Sequence, residues 1–110
     1  MEIITSEEEL QAWTQREPAA MLLFGGANCS VCEAIKPRLQ QLVEREFPKL
    51  SFGYTACDDE GRALCASQGL FSIPVVCLFF DGKRASTFIR VFSLHEVREA
   101  IKRPYEMMYE

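Results

Sequence analysis

Two uninterrupted apolar runs, Ala19 to Gly25 (AAMLLFG) and Val75 to Phe80 (VVCLFF), constrain this chain more than any other feature. Neither alternates with polar residues, so each reads as a strand buried on both sides of its sheet. Such strands need helices above and below, and the rest of the chain supplies them. Ser6-Glu7-Glu8-Glu9 is a capping box opening a helix with Leu10 and Trp13 inward, closed by Pro18. From Ser30 to Phe47 a stripe of Val31, Ile35, Leu39, Leu42, Val43 and Phe47 marks a long helix, with Pro37 expected to kink it.

Leu50 to Cys57 is a further strand, and Asp59 to Gln68 a short helix stopped by Gly69. Asp81-Gly82 is a tight-hairpin pair joining Val75–Phe80 to a strand from Ala85 to Val91. Ser93-Leu94-His95-Glu96 repeats the capping box, with Phe92 and Val97 as a hydrophobic staple. The helix it opens turns Leu94, Val97 and Ile101 inward and is expected to end before Pro104. Residues 1–104 then form one domain, with 105–110 as a frayed tail or small docking strip. The order is β-α-β-α-β-α-β-β-α. It implies an α/β fold, a central mixed sheet with helices on both faces.

At 110 residues there is room for one such domain, exposing roughly 6,200 Å² of the roughly 18,000 Å² available to the extended chain. Twelve Lys and Arg against sixteen Asp and Glu give a net charge of −4, with no basic block. That argues against nucleic acid or an anionic membrane as partner. No apolar stretch approaches the ~20 residues of a membrane span, and the N-terminus lacks a signal-peptide pattern. The expected location is cytoplasmic.

The chemistry centres on Cys29-Ser30-Val31-Cys32, where a buried strand hands over to the long helix. Free N–H groups and the macrodipole at a helix N-terminus favour a thiolate at Cys29. Cys32 lies one turn inside, within disulfide reach. Gly25-Gly26 lets the chain leave the strand sharply and exposes the first sulfur. These residues support an attacking Cys29 and a shielded, resolving Cys32. Two other readings stand beside this one. The pair could be half a zinc site completed by Cys57 and Cys65, or two buried cysteines that never react. Glu33 opposes a thiolate nearby and is equally a favourable first-turn acid on the helix dipole.

Four features together resemble the thioredoxin family: the strand–Cys29-Ser-Val-Cys32–helix handover, Pro37 in that helix, Ile73-Pro74 opening the next buried strand, and Asp81-Gly82 at its hairpin. The resemblance covers nearly the whole chain. It implies the thioredoxin fold with a five-stranded sheet, Cys29 as nucleophile, Cys32 as resolving thiol and Pro74 as a cis-proline beside the dithiol. Asn28, Ser30, Val31 and Ile73 would then contact substrate. The implied partners are protein disulfide substrates and a reductase or dithiol electron donor, with no cofactor and no metal. The family's usual Trp-Cys-Gly-Pro-Cys is here Asn28-Cys29-Ser30-Val31-Cys32, and an earlier tryptophan falls at Gly25. The family's buried aspartate falls at Leu23 and its lysine partner at Tyr54, so the pair is lost together and leaves no unpaired charge.

Two functions follow. One is a thiol–disulfide oxidoreductase reducing protein disulfides through a Cys29–Cys32 dithiol. The other is a non-catalytic binding module using the surface around Pro74. Of the remaining candidates, Cys77 reads as core filler, Cys57 and Cys65 as plain packing with a second dithiol as the other reading, His95 as a solvated helix residue, and Arg84, Arg90, Arg98 and Arg103 as solvated face.

Overall fold

The computed structural model describes residues 1–109. In chain order the elements are β1 (Glu2–Ile3), α1 (Glu7–Arg16), β2 (Ala19–Gly25), α2 (Ser30–Glu46) and β3 (Ser51–Ala56). They continue with α3 (Arg62–Ser67), β4 (Val75–Phe80), β5 (Lys83–Ile89) and α4 (Leu94–Tyr109). One five-stranded sheet has the order β1-β3-β2-β4-β5. β3 runs parallel to β1 and β2, whereas β4 is antiparallel to both β2 and β5. The two apolar runs are therefore adjacent strands inside the sheet.

Alternation along β2 divides the core in two. Ala19, Met21 and Leu23 pack with Leu39, Leu42 and Val43 of α2 and Val97 and Ile101 of α4. Ala20, Leu22 and Phe24 pack on the other face with Leu10 and Trp13 of α1 and Leu64 and Cys65 of α3. From Ala19 to Phe24 every β2 side chain is 0% exposed. Burial of each such Leu or Phe contributes about 1.5–3 kcal/mol, which makes β2 the most firmly held element. The accessible surface is 6259 Å², close to the size expected of one compact domain.

The local signals resolve in detail. Ser6 caps α1 by accepting the Glu9 N–H at 3.1 Å, but Glu9 reaches back to the Thr5 N–H at 2.9 Å, one residue before the cap. Hydrogen bonds from the Thr5 hydroxyl and N–H hold the Glu9 carboxyl below its ordinary pKa. The box at α4 is reciprocal: Glu96 N–H to Ser93 Oγ at 3.0 Å, and Ser93 N–H to Glu96 Oε1 at 3.1 Å. Asp81 and Gly82 both take positive φ, 56° and 77°, the twist a two-residue hairpin needs. Strand β5 begins and ends two residues earlier than expected, because Arg90 turns to φ 63° and leaves the ladder.

The last helix departs from expectation. It does not stop before Pro104 but runs to Tyr109, so residues 105–109 are helical rather than a frayed tail. Tertiary contacts offset the backbone bond that proline removes. Tyr105 packs edge-on against Phe47 at 5.1 Å, and its hydroxyl accepts the Lys49 N–H at 3.0 Å. Tyr109 stacks on Tyr105 at 4.8 Å, with the Lys49 ammonium 5.0 Å from its ring centre. None of the described helices is long and apolar enough to cross a membrane.

Gly53 in β3 is the close approach that seats α1. A Cβ there would lie 2.8 Å from the Trp13 ring and 3.2 Å from Leu22. Trp13 is 1% exposed and has nowhere to move. Gly53→Ala gains up to ~1 kcal/mol from a stiffer unfolded chain but loses about 1–3 kcal/mol to overpacking. Urea unfolding is expected to show a net loss, with an unchanged slope.

Candidate functional site

Strand β2 ends at Gly25, and four residues later Cys29 becomes the N-cap of α2 in extended conformation. The loop between is held from both sides. Cys29 donates its N–H to the Gly26 carbonyl at 3.2 Å, and the Cys29 carbonyl accepts the Glu33 N–H at 3.1 Å. The Cys29 sulfur itself accepts the Cys32 N–H at 3.2 Å, the bond a capping oxygen would ordinarily make. Cys29 is half-buried and Cys32 is 0% exposed. The two are disulfide-bonded with Cα atoms 5.2 Å apart.

An open cavity of about 660 Å³ lies over Cys29. Asn28, Ser30, Val31, Ile73 and Pro74 all line it, and the Ile73–Pro74 peptide is cis. Cys32 lies beneath, outside the lining. Three further residues complete the wall, namely Asp58 after β3 and Arg90 and Val91 after β5. Asp58 lies in the acidic run Asp58-Asp59-Glu60. Its two carboxylate oxygens accept the N–H groups of Ala27 (3.4 Å) and Asn28 (3.2 Å), across about thirty residues of sequence. No local pattern could announce that contact. Arg90 donates its backbone N–H to the Pro74 carbonyl at 2.7 Å and sits at positive φ, where a glycine would be unstrained. Arg90 is exposed, as expected, and its place on the cavity wall adds to that reading.

Beneath the pair the environment is apolar with one hydroxyl. Leu23 and Tyr54 are direct partners in the β2–β3 ladder. A Cβ on Gly25 would be 3.1 Å from Cys32 Cβ, 3.1 Å from the Tyr54 ring and 3.3 Å from its hydroxyl. Glycine therefore occupies a point that Cys32 and Tyr54 crowd from both sides. Burial pushes the Tyr54 hydroxyl's pKa up, and the negative charges of Glu33 and Asp58 add to the shift. The Lys36 ammonium lies 4.0 Å from the centre of that ring.

The remaining cysteines correct one expectation and meet another. Cys57 and Cys65 are not plain packing: they form a second disulfide with Cα atoms 5.6 Å apart. The chain reverses tightly after β3, Gly61 donating to the Ala56 carbonyl at 2.8 Å, and this brings α3 back against the strand end. Each pair is bonded within itself, whereas the zinc reading needs all four sulfurs on one ion. Cys77 is buried mid-strand as expected, and burial pushes its thiol pKa up, against smaller opposing effects of Arg84 and Thr87. His95 lies exposed on α4 and lines no part of the cavity.

The sheet order, the helices on both faces and the cysteine pair at the start of α2 define a thioredoxin fold with a redox-type dithiol. Comparison with known proteins agrees. The chain is 28% identical over 98 residues to thioredoxin-like protein YdfQ of Bacillus subtilis (strain 168), over 89% of this chain and 86% of that protein. The thioredoxin of Fasciola hepatica matches in structure with a TM-score of 0.81 at 21% identity, over 94% of this chain and 98% of that one. A mutant thioredoxin from Halobacterium salinarum gives 0.79 at 20% identity, over 92% of this chain and 87% of that one. No protein-family model matches the chain. In sequence and in fold, then, the chain is thioredoxin-like, and its constellation is that of a thiol–disulfide oxidoreductase in general terms.

Two substitutions probe this arrangement. Leu23→Asp puts a carboxyl into the 0%-exposed ladder position opposite Tyr54. The expected loss is about 3 kcal/mol or more. Burial raises the new carboxyl's pKa in the folded state. The destabilisation should therefore deepen as pH rises from the unfolded carboxylate range through that raised value, in urea titrations at pH 5 and pH 8. The same variant should resolve mixed disulfides faster, because it supplies a proton acceptor near Cys32. Arg90→Gly removes the positive-φ cost at the cavity rim, and stability should rise by about 0.5–1 kcal/mol in the same assay.

Proposed function

We propose that the protein is a thiol–disulfide oxidoreductase that reduces protein disulfides, with Cys29 as the nucleophile and Cys32 as the resolving thiol. The observation that carries this reading is the Cys29 sulfur at the α2 N-cap, accepting the Cys32 N–H beneath an open cavity. In the reduced protein the same N–H and the helix dipole favour negative charge on that sulfur.

The Cys29 thiolate attacks one sulfur of a substrate disulfide, and the other substrate sulfur leaves as a thiol after taking a proton. Cys32 loses its proton and attacks Cys29 Sγ. The substrate's second thiol is released, and the Cys29–Cys32 disulfide holds the oxidised equivalents. A dithiol donor, such as a reductase or another reduced protein, returns two electrons and two protons. Asn28, Ser30, Val31 and Ile73 form the walls against which a substrate chain lies, and Pro74 closes the cavity behind the sulfur. With Tyr54 crowding the same point as Cys32 and Leu23 its ladder partner, the proton of Cys32 leaves through an apolar environment, and resolution rather than attack becomes the slower half of the cycle. The cytoplasm suits this direction of exchange, since its thiol pool keeps cysteines reduced.

Cys32→Ser should still attack a substrate disulfide but be unable to release it, accumulating mixed disulfides that reductant removes. Cys29→Ser should accumulate few or none. Non-reducing electrophoresis after incubation with a disulfide-containing protein reads both. Equal trapping would break the division of labour, and trapping only by Cys29→Ser would reverse it. No trapping by either would favour a binding module around Pro74.

A further inference from the structure

We propose that Cys57–Cys65 is a second thiol–disulfide site, reduced by dithiols, whose redox state sets the reactivity of Cys29 through Asp58. The proposal rests on the reading of Cys29 as the attacking thiol. Its basis is where the second bond sits. Cys57 directly follows β3 and Cys65 lies in α3, so the disulfide ties the strand end to the helix across the turn. Residues 57 and 58 of that turn hold the loop leading to Cys29. Cys57 donates its N–H to the Gly25 carbonyl at 2.7 Å, and Asp58 accepts the N–H groups of Ala27 and Asn28. The approach is close enough that a Cβ on Gly26 would lie 2.7 Å from Asp58 Oδ2. The disulfide thus begins one residue from the carboxylate that lines the Cys29 cavity.

Cys65 is 4% exposed and Cys57 is the more open of the two. A dithiol's thiolate therefore attacks Cys57 Sγ, and Cys65 Sγ leaves and takes a proton. The dithiol's second sulfur then displaces Cys57, which leaves as a thiol. The reductant ends as a disulfide and two electrons and two protons have moved to the protein. A disulfide oxidant reverses the step.

Asp58 acts on Cys29 in two ways of the same sign. Pinned by the intact disulfide, its carboxylate brings negative charge to the cavity and uses two loop N–H donors that could otherwise face the sulfur. Once the bond opens, residues 57 and 58 are free to withdraw, and both effects favour the Cys29 thiolate. The other charged groups around the dithiol are Arg90, beyond β5 on the cavity rim, and Glu33 and Lys36, on α2 itself, the Lys36 ammonium lying over the Tyr54 ring. All three stand on segments that the second disulfide does not hold. Reduction of Cys57–Cys65 therefore activates Cys29, and oxidation damps it.

The test uses the full chain with Cys32→Ser, leaving Cys29 as a free thiol, and follows its alkylation by iodoacetamide against pH with mass spectrometry assigning the site. Three forms are compared, each confirmed by intact mass to carry no glutathione on Cys29: Cys57–Cys65 oxidised by glutathione disulfide and then freed of any Cys29 mixed disulfide by a monothiol, Cys57→Ala with Cys65→Ala, and Asp58→Asn with the second bond intact. The double-alanine form and Asp58→Asn should each react on the order of threefold to tenfold faster near pH 7 than the oxidised parent, with the profile moved to lower pH. Asp58→Asn keeps the proposal testable if the double variant folds poorly. Identical profiles for the oxidised parent and Asp58→Asn would overturn it, as would failure of oxidised glutathione to form the Cys57–Cys65 bond. Absence of Cys29 alkylation in every form would instead overturn the reading of Cys29 on which it rests.

Discussion

Burial of β2 on both faces is the constraint from which the site is built. Every residue from Ala19 to Phe24 is fully covered, and each packs into one of two separate cores. A strand so held cannot slide by one residue without sending one core's side chains into the other. Its end at Gly25 is therefore a fixed point, and the distance from Gly25 to the start of α2 is spanned by a loop with little slack. Cys29 takes its position from that anchoring together with its own hydrogen bonds to Gly26, Glu33 and Cys32. The cap bond from the Cys32 N–H to the Cys29 sulfur then follows from helix geometry.

The apolar floor beneath the dithiol is a consistent alternative to a buried ion pair. An isolated buried charge costs several kcal/mol, so an aspartate at Leu23 would be unfavourable without a cationic partner. With Tyr54 opposite and Lys36 over the tyrosine ring, both positions are filled by groups that need no compensation in the core. Stability is gained at a ladder position that a buried carboxyl would weaken. Gly25 belongs to the same solution, because Tyr54 occupies the space that a side chain at Gly25 would need.

What was legible in the sequence was what local pattern encodes. The two apolar runs marked the middle of the sheet, and the capping boxes marked the starts of α1 and α4. Asp81-Gly82 marked the hairpin, and the spacing of Cys29 and Cys32 marked the dithiol. What was not legible depends on contacts between distant residues. Asp58 reaches Asn28 through the parallel β2–β3 pairing, and nothing in Cys57-Asp58-Asp59-Glu60 distinguishes it from a solvated acidic turn. The path of α4 through Pro104 rests on Phe47 and Lys49, half the chain away. Cys57 and Cys65 form no motif by spacing, and only the reversal after β3 makes them partners.

The two disulfides differ in what their opening releases. Cys29 and Cys32 stand one helical turn apart, and the hydrogen bonds of α2 keep their Cα atoms near 5 Å whatever their redox state. Breaking that bond frees two sulfurs and little backbone, which suits a redox-type pair. Cys57 follows the end of β3 and Cys65 lies in α3, and between them lie only a turn and the start of a six-residue helix too short to be stable alone. Breaking that bond returns freedom to the segment carrying Asp58, and through Asp58 to the loop before Cys29. A bond within one helix turn stores chemistry, and a bond between elements stores conformation. Joining the second to the first by three hydrogen bonds lets a change of shape in one turn reach the reactivity of the other.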